Sequence, residues 1–118
     1  DYLKQRKQFG KLIGEFQALQ HRASHLYSEV EIAKAVTIKA QQLLDGNSDR
    51  AELMSSVAKA KVSKAAGLAV KEGVQMHGGI GMTDEYDIGF YMKRDRALQE
   101  FLGDAYFHAG RVAQMSGY

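Results

Sequence analysis

Cysteine and proline are both absent from this chain of 118 residues. Without cysteine there is no disulfide framework, no thiolate nucleophile and no Cys-based metal site. That agrees with a reducing compartment and makes the cytoplasm the expected location. Without proline, helix limits rest on Gly, Asn, Asp and Ser alone. Long apolar runs are also missing: nothing approaches the roughly 20 residues that span a bilayer. The basic start has no apolar stretch behind it, so neither a membrane span nor a signal peptide is expected. Nor does one sign of charge dominate. With 16 Lys and Arg against 14 Asp and Glu, a formal charge of +2, the surface as a whole draws neither nucleic acid nor an anionic membrane.

The residues that are present have globular proportions, 45% hydrophobic and 25% charged, enough for one core and not two. Residues 1–118 therefore read as one domain. The chain opens on Asp1 and not on Met, which reads as a fragment of something longer. One local excess of charge stands out, the basic cluster Lys4, Arg6, Lys7 and Lys11.

From Phe16 onward, Leu19, Ala23, Leu26, Val30, Ala33, Thr37, Ala40 and Leu44 recur at alternating steps of three and four, the spacing of a helix with a seam. Ile32, Val36 and Leu43 add a second apolar line, so the later half of this helix should touch more than one neighbour. Asp45-Gly46-Asn47-Ser48 supplies the stop, and Ser48 or Asp49 the next cap. A second helical pattern, 50–76, is crowded with Ala58, Ala60, Ala65, Ala66, Gly67, Ala69 and Gly73. Small residues on several sides let neighbouring backbones approach, as a central helix requires. Beyond a glycine-rich turn, Thr83 or Asp84 can cap a shorter helix carrying Ile88, Phe90, Tyr91 and Met92. A last helix runs from about Asp104, as N-cap, to Met115. No stretch of useful length alternates like a strand. These patterns give an all-α fold, an antiparallel four-helix bundle of two long and two shorter helices.

Two segments can carry chemistry. In the first, Arg6-Lys7-Gln8-Phe9-Gly10 is followed by Gly14-Glu15-Phe16-Gln17. Arg6 offers a forked cation for a pyrophosphate and Phe9 a flat face for a ring. Gln17 adds an amide near a helix N-terminus, where anions are favoured. By composition alone the same residues are a solvated basic end and a glycine-bounded linker. The second segment is Gln75-Met76-His77-Gly78-Gly79-Ile80-Gly81. Its glycines follow a helix instead of opening one after a strand, so it is not a dinucleotide fingerprint. It offers backbone N–H groups unobstructed by Cβ atoms, and at Gln75 an amide with donors and an acceptor. Its plain reading is a helix C-cap and a loop.

Taken in order, Arg-x-x-Phe-Gly, Glu-Phe-Gln, a long amphipathic helix, an alanine-rich helix ending in Val74-Gln75-Met76-His77-Gly78-Gly79-x-Gly81, then Glu85-Tyr86 and Arg94-Asp95, the chain resembles the acyl-CoA dehydrogenase family over at least 6–95. In that family this region is a four-helix C-terminal domain and the flavin lies at a subunit interface. The resemblance implies that Arg6, Gln8 and Phe9 contact the pyrophosphate and adenosine part of FAD, with Gln17 assisting. It also implies that Gln75, Met76, His77, Gly78 and Gly79 embrace the same FAD from the neighbouring subunit. A homo- or hetero-oligomer, commonly a dimer of dimers, follows from it. So do an acyl-CoA substrate for the full-length protein and an electron-transfer flavoprotein as acceptor.

The resemblance stops where the reaction would occur. Many members of the family carry Tyr-Glu-Gly-Thr, with the Glu removing the α-proton of the acyl thioester. Here the segment is Gln99-Glu100-Phe101-Leu102-Gly103-Asp104-Ala105, and by register Leu102 or Gly103 stands at the Glu position. Neither can act as a base. Glu100 and Asp104 are the nearby carboxylates, but a shift of one or two residues moves a side chain by several ångströms or to another face, so no catalytic residue is assigned. Three readings stay open: a domain of a dehydrogenase whose base lies upstream, a base-deficient partner subunit, or a non-enzymatic helical interaction module. His21, His25 and Glu29 share one helix face, but no third ligand segment accompanies them, so no metal site is expected. His108 reads as a surface or interface residue, and Phe16, Tyr86 and Tyr91 as core or interface anchors.

Overall fold

Small side chains decide how the helices meet. The computed structural model describes residues 1–118 and contains four α-helices: α1 (Gln17–Asp45), α2 (Ala51–His77), α3 (Ile88–Glu100) and α4 (Ala105–Met115). Helix α2 lies between the others, and its buried residues are Ser56, Ala58, Ser63, Ala65 and Gly67. A Cβ on Gly67 would come within 3.0 Å of the Gln99 amide of α3, so the small residue lets α3 approach. Helix α1 adds Ala33 and Ala40 to the same narrow core. The all-α class and the central role of the alanine-rich helix are as the sequence predicts.

Pairings between the helices give their directions. Arg22 meets Glu72 and Glu29 meets Lys61, so α1 and α2 are antiparallel. Glu52 pairs with Arg111, and Lys64 stands over the Tyr106 ring, so α4 runs antiparallel to α2 as well. Lys59 Nζ donates to the carbonyl of Leu98 at 2.6 Å, and Gly73 packs near Ile88, which sets α3 the same way. Helices α3 and α4 therefore lie in series along one side of α2, with α1 on another, in a rod of 56 × 27 × 25 Å. No extended contact joins α1 to α3 or α4.

The turns differ from expectation in their details. Asn47, and not Gly46, takes the left-handed conformation after α1, at φ 48°. Ser48 N–H donates to Leu43 O and Asn47 N–H to Leu44 O, the paired closure of a Schellman turn. Neither Ser48 nor Asp49 caps α2. Its N-cap position is Arg50, without a side-chain bond, and Ser48 Oγ accepts from Arg50 N–H at 3.3 Å instead. Thr83 closes a 3-10 turn (Gly78–Met82) by donating to Ile80 O at 2.7 Å, and α3 starts only at Ile88. Asp104 does cap α4, its Oδ1 accepting from Phe107 N–H at 2.7 Å.

One further expectation gives way, and another narrows to its interface alternative. His108 is buried, with Nε2 2.9 Å from Leu102 O. The antiparallel docking of α4 turns this ring inward, toward the 101–104 connection. Tyr91 is 63% exposed and no residue of α3 is buried, so Tyr91 is not a core anchor of this chain. None of the helices is long and apolar enough to cross a membrane.

Candidate functional site

Before α1 the chain makes a small arm that the sequence does not announce. A 3-10 turn (Tyr2–Lys4) leads into an antiparallel hairpin, β1 (Lys7–Gln8) and β2 (Lys11–Leu12), and a second 3-10 turn (Ile13–Glu15) leads into α1. The hairpin has a two-residue loop, Phe9-Gly10, with φ of +54° and +79°. Two positive φ values in succession define the type I′ turn that matches the twist of the strands. Glycine adopts this conformation freely, but an aromatic residue there is strained. Phe9 is nonetheless 90% exposed, and its only ring contact is edge-on to Phe16, with centroids 6.1 Å apart. A strained aromatic at a loop tip, burying almost nothing, is a side chain presented outward.

The arm folds beside the C-terminal end of α2. Between them runs a groove of about 470 Å³ lined by Arg6, Gln8 and Phe9 from the arm and by Gln75, Met76, His77, Gly78 and Gly79 from the helix end. Eight of the nine candidate residues thus converge, although the two segments are far apart in sequence. Both segments line one groove of this single chain. The ninth candidate, Gln17, opens α1 exposed to solvent and does not line the groove. Tyr2, Ile13, Leu19 and Ile80 do line it and were not foreseen. Leu19 carried only a seam signal, and Tyr2 had none.

The chemistry of the lining is that of an anion site with an aromatic neighbour. Arg6 takes part in no ion pair, and neither Gln8 nor Gln75 spends its amide on a bond within the chain. Lys11, by contrast, is turned away, its Nζ 4.2 Å from the centroid of Phe16. The glycines form a cradle. Gly78 leaves α2 at φ +68° and ψ −148°, a region open only to glycine. Gly79 would carry a Cβ into space empty of other atoms within 4 Å. Gly81 turns back so closely that a Cβ would lie 2.9 Å from that of His77. A free guanidinium, two free amides, a flat ring and a backbone without side chains fit a diphosphate joined to a ring system. The other large groove, about 450 Å³ between α1 and α2, is lined by residues such as Val30, Ile38 and Val62 and brings no such polar set together.

At the 101–104 connection both nearby carboxylates already have a partner. Leu102 is 75% exposed, Asp104 is held by its cap bond, and Glu100 pairs with Arg96 at 3.1 Å. Glu29, on the face shared with His21 and His25, is bound by Lys61 at 2.6 Å.

Known proteins agree with this architecture. Residues 1–116 match the family model described as acyl-CoA dehydrogenase, C-terminal domain. Among the relatives, the acyl-CoA dehydrogenase IpdE2 of Mycolicibacterium smegmatis is 39% identical over 102 residues, 86% of this chain and 31% of that protein. The butyryl-CoA dehydrogenase of Megasphaera elsdenii superposes with a TM-score of 0.91 at 25% identity, over 98% of this chain and 30% of that one. An FAD complex of PigA superposes with a TM-score of 0.92 at 26% identity, over 98% and 30%. The chain thus spans about a third of the length of the relatives it matches. With its helical order, its arm and its glycine turn all matched by that model, this chain belongs to the acyl-CoA dehydrogenase family, as a C-terminal domain of that family.

Proposed function

We propose that residues 1–118 are one domain of a longer FAD-dependent acyl-CoA dehydrogenase, and that the groove between the arm and the glycine turn takes the pyrophosphate and adenosine half of FAD. What carries this reading is the convergence of Arg6, Gln8 and Phe9 with Gln75–Gly79 on one groove. Arg6 grips the diphosphate with paired N–H donors. The amides of Gln8 and Gln75 would hold its oxygens or the ribose, and Phe9 would offer its ring to the adenine. Gly78 and Gly79 let the chain approach without a clash. Bound there, FAD would supply a flavin able to accept a β-hydride as the Cα–Cβ bond of an acyl-CoA thioester is oxidised. An electron-transfer flavoprotein would be the electron acceptor. The exposed apolar side chains of α1 and α3, such as Ile32, Ile38, Phe90 and Tyr91, suit contacts with the rest of the protein and with further subunits.

The α-proton is removed by a group outside this chain, because the 101–104 connection offers Leu102 and no free carboxylate. That observation also favours a second reading, in which the parent is a base-deficient subunit of a hetero-oligomer. Anaerobic mixing of the full-length protein with an acyl-CoA separates the two. Flavin bleaching by the purified homo-oligomer supports a base elsewhere in the same chain, and bleaching only after a partner subunit is added supports the second. Loss of FAD affinity in Arg6→Ala tests the groove itself, and unchanged affinity would contradict it.

A further inference from the structure

Three rings from three separate segments meet behind the glycine turn. Tyr2, in the turn that precedes the hairpin, stacks on His77, the last residue of α2, with centroids 4.2 Å apart and planes at 26°. Tyr86, from the connection to α3, closes on both, 5.6 Å from Tyr2 edge-on and 5.2 Å from His77. His77 is fixed from below as well, since its Nδ1 lies 2.7 Å from Gly73 O. A carbonyl only accepts, so Nδ1 carries a proton in this contact.

The cluster stands where the two walls of the groove are joined. On one side, Arg6 N–H donates to Tyr2 O at 2.9 Å, so the base of the arm moves with Tyr2. On the other, Gly78 directly follows His77 and leaves the helix at φ +68°. Displacing Tyr2 from His77 thus displaces Arg6 from the glycine cradle. Tyr2 and His77 both line the groove, and Tyr86 backs them from an adjoining hollow that Tyr2 and Arg6 also line.

We propose that Tyr2 and Tyr86 are positioning residues: by clasping His77 they set the span between Arg6 and the Gly78-Gly79 turn, across which the diphosphate of the cofactor lies. The inference rests on the groove reading above. Its physical basis is preorganisation, because an arm already held at the right span loses less freedom when the ligand binds. Aromatic pairs of this geometry act through their rings, not through the phenol hydroxyl.

The test uses the full-length protein, stripped of flavin and titrated with FAD, with ADP and with FMN, which lacks the adenosine half. Tyr2→Leu and Tyr86→Leu should each weaken FAD and ADP about tenfold, the scale of one aromatic pair, and leave FMN affinity unchanged. Tyr2→Phe and Tyr86→Phe should bind all three ligands as the parent does. Equal losses for ADP and FMN would overturn the clasp, since they would report general loosening. So would ADP affinity that stays at the parent value in the Leu variants while Arg6→Ala loses it, a result that leaves the groove reading intact. Unchanged ADP affinity in Arg6→Ala would instead remove the groove reading and the clasp with it. If Tyr2→Leu does not fold, Tyr86→Leu decides alone, its ring being 40% exposed.

Discussion

Along the bundle, charged side chains are paired across helices: Arg22 with Glu72 at 2.6 Å, Lys61 with Glu29 at 2.6 Å, and Arg111 with Glu52. At the C-terminal end of α2 the pattern reverses. Arg6 has no carboxylate, Gln8 and Gln75 have no partner within the chain, and Phe9 and Gly78 hold backbone conformations with positive φ. The body of the bundle closes these pairs across its helices, although His108 Nδ1 is buried there without a partner, and each such surface pair adds little to stability. The groove leaves its polar groups open and holds strain of about 1–3 kcal/mol at Phe9. In the function proposed above, open polar groups together with strain belong to the end that takes the ligand, and the closed pairs to the end that packs.

Substitutions at the two ends should therefore fail in different ways. The largest effect is expected from Gly79→Val in the full-length protein. A Cβ at this position meets no other atom within 4 Å, so helicity and thermal midpoint should hold. FAD affinity should fall by roughly a hundredfold, because the branched group occupies the cradle. Equal binding by the variant would break the comparison. Next comes Arg6→Ala, expected to weaken FAD by roughly tenfold to a hundredfold, the scale of charge-assisted hydrogen bonds. Lys11→Ala, which removes a cation already seated on Phe16, should change it little. Flavin content of the two variants purified side by side checks the contrast.

At the packing end the effects are smaller and fall on stability. Asp104→Ala should destabilise by about 1 kcal/mol through loss of the cap, and Asp104→Asn by only a few tenths. In both, anaerobic bleaching by acyl-CoA should proceed at the parent rate, and abolished bleaching in Asp104→Asn would make Asp104 a base. The smallest effect concerns Glu29, whose carboxyl is held below its ordinary value, chiefly by the hydrogen bond from Lys61 and partly offset by burial. A depressed folded-state value stabilises the fold above the ordinary carboxylate range, and the contribution fades as pH falls through the folded value. Urea unfolding should therefore separate Glu29→Gln from the parent near neutrality and bring the two together in acid. A gap that persists in acid would mean that packing, and not charge, holds this pair.

Helix number, the limits of α1, α2 and α4 to within a residue or so, and the central position of α2 were legible because periodicity and small residues act over many positions. Asp104 was legible as a cap because Asp before a helix satisfies an N–H group in almost any context. The arm was not. Its strands are two residues each, too short for alternation to appear, and its turn places Phe9 where the usual signal is Asn or Gly. The cluster of Tyr2, His77 and Tyr86 escaped for a related reason: a contact among rings from three segments leaves no periodic trace. His108 was misread because nothing local distinguishes a histidine turned toward a neighbouring connection from one facing water. The groove residues themselves were found by motif order, whereas their placement on one chain needed coordinates.

That placement is the central claim, and subunit mixing tests it most directly. Heterodimers with one Arg6→Ala subunit and one Gly79→Val subunit, each carrying its own affinity tag and purified through both, are assayed for FAD per subunit. If one chain supplies both walls of each groove, every groove in the heterodimer holds one defect, and flavin content stays as low as in either variant alone. If Arg6 and the glycine turn reached the same FAD from different subunits, one of the two sites would be free of defects. Recovery of about half the parent flavin content would then contradict the account.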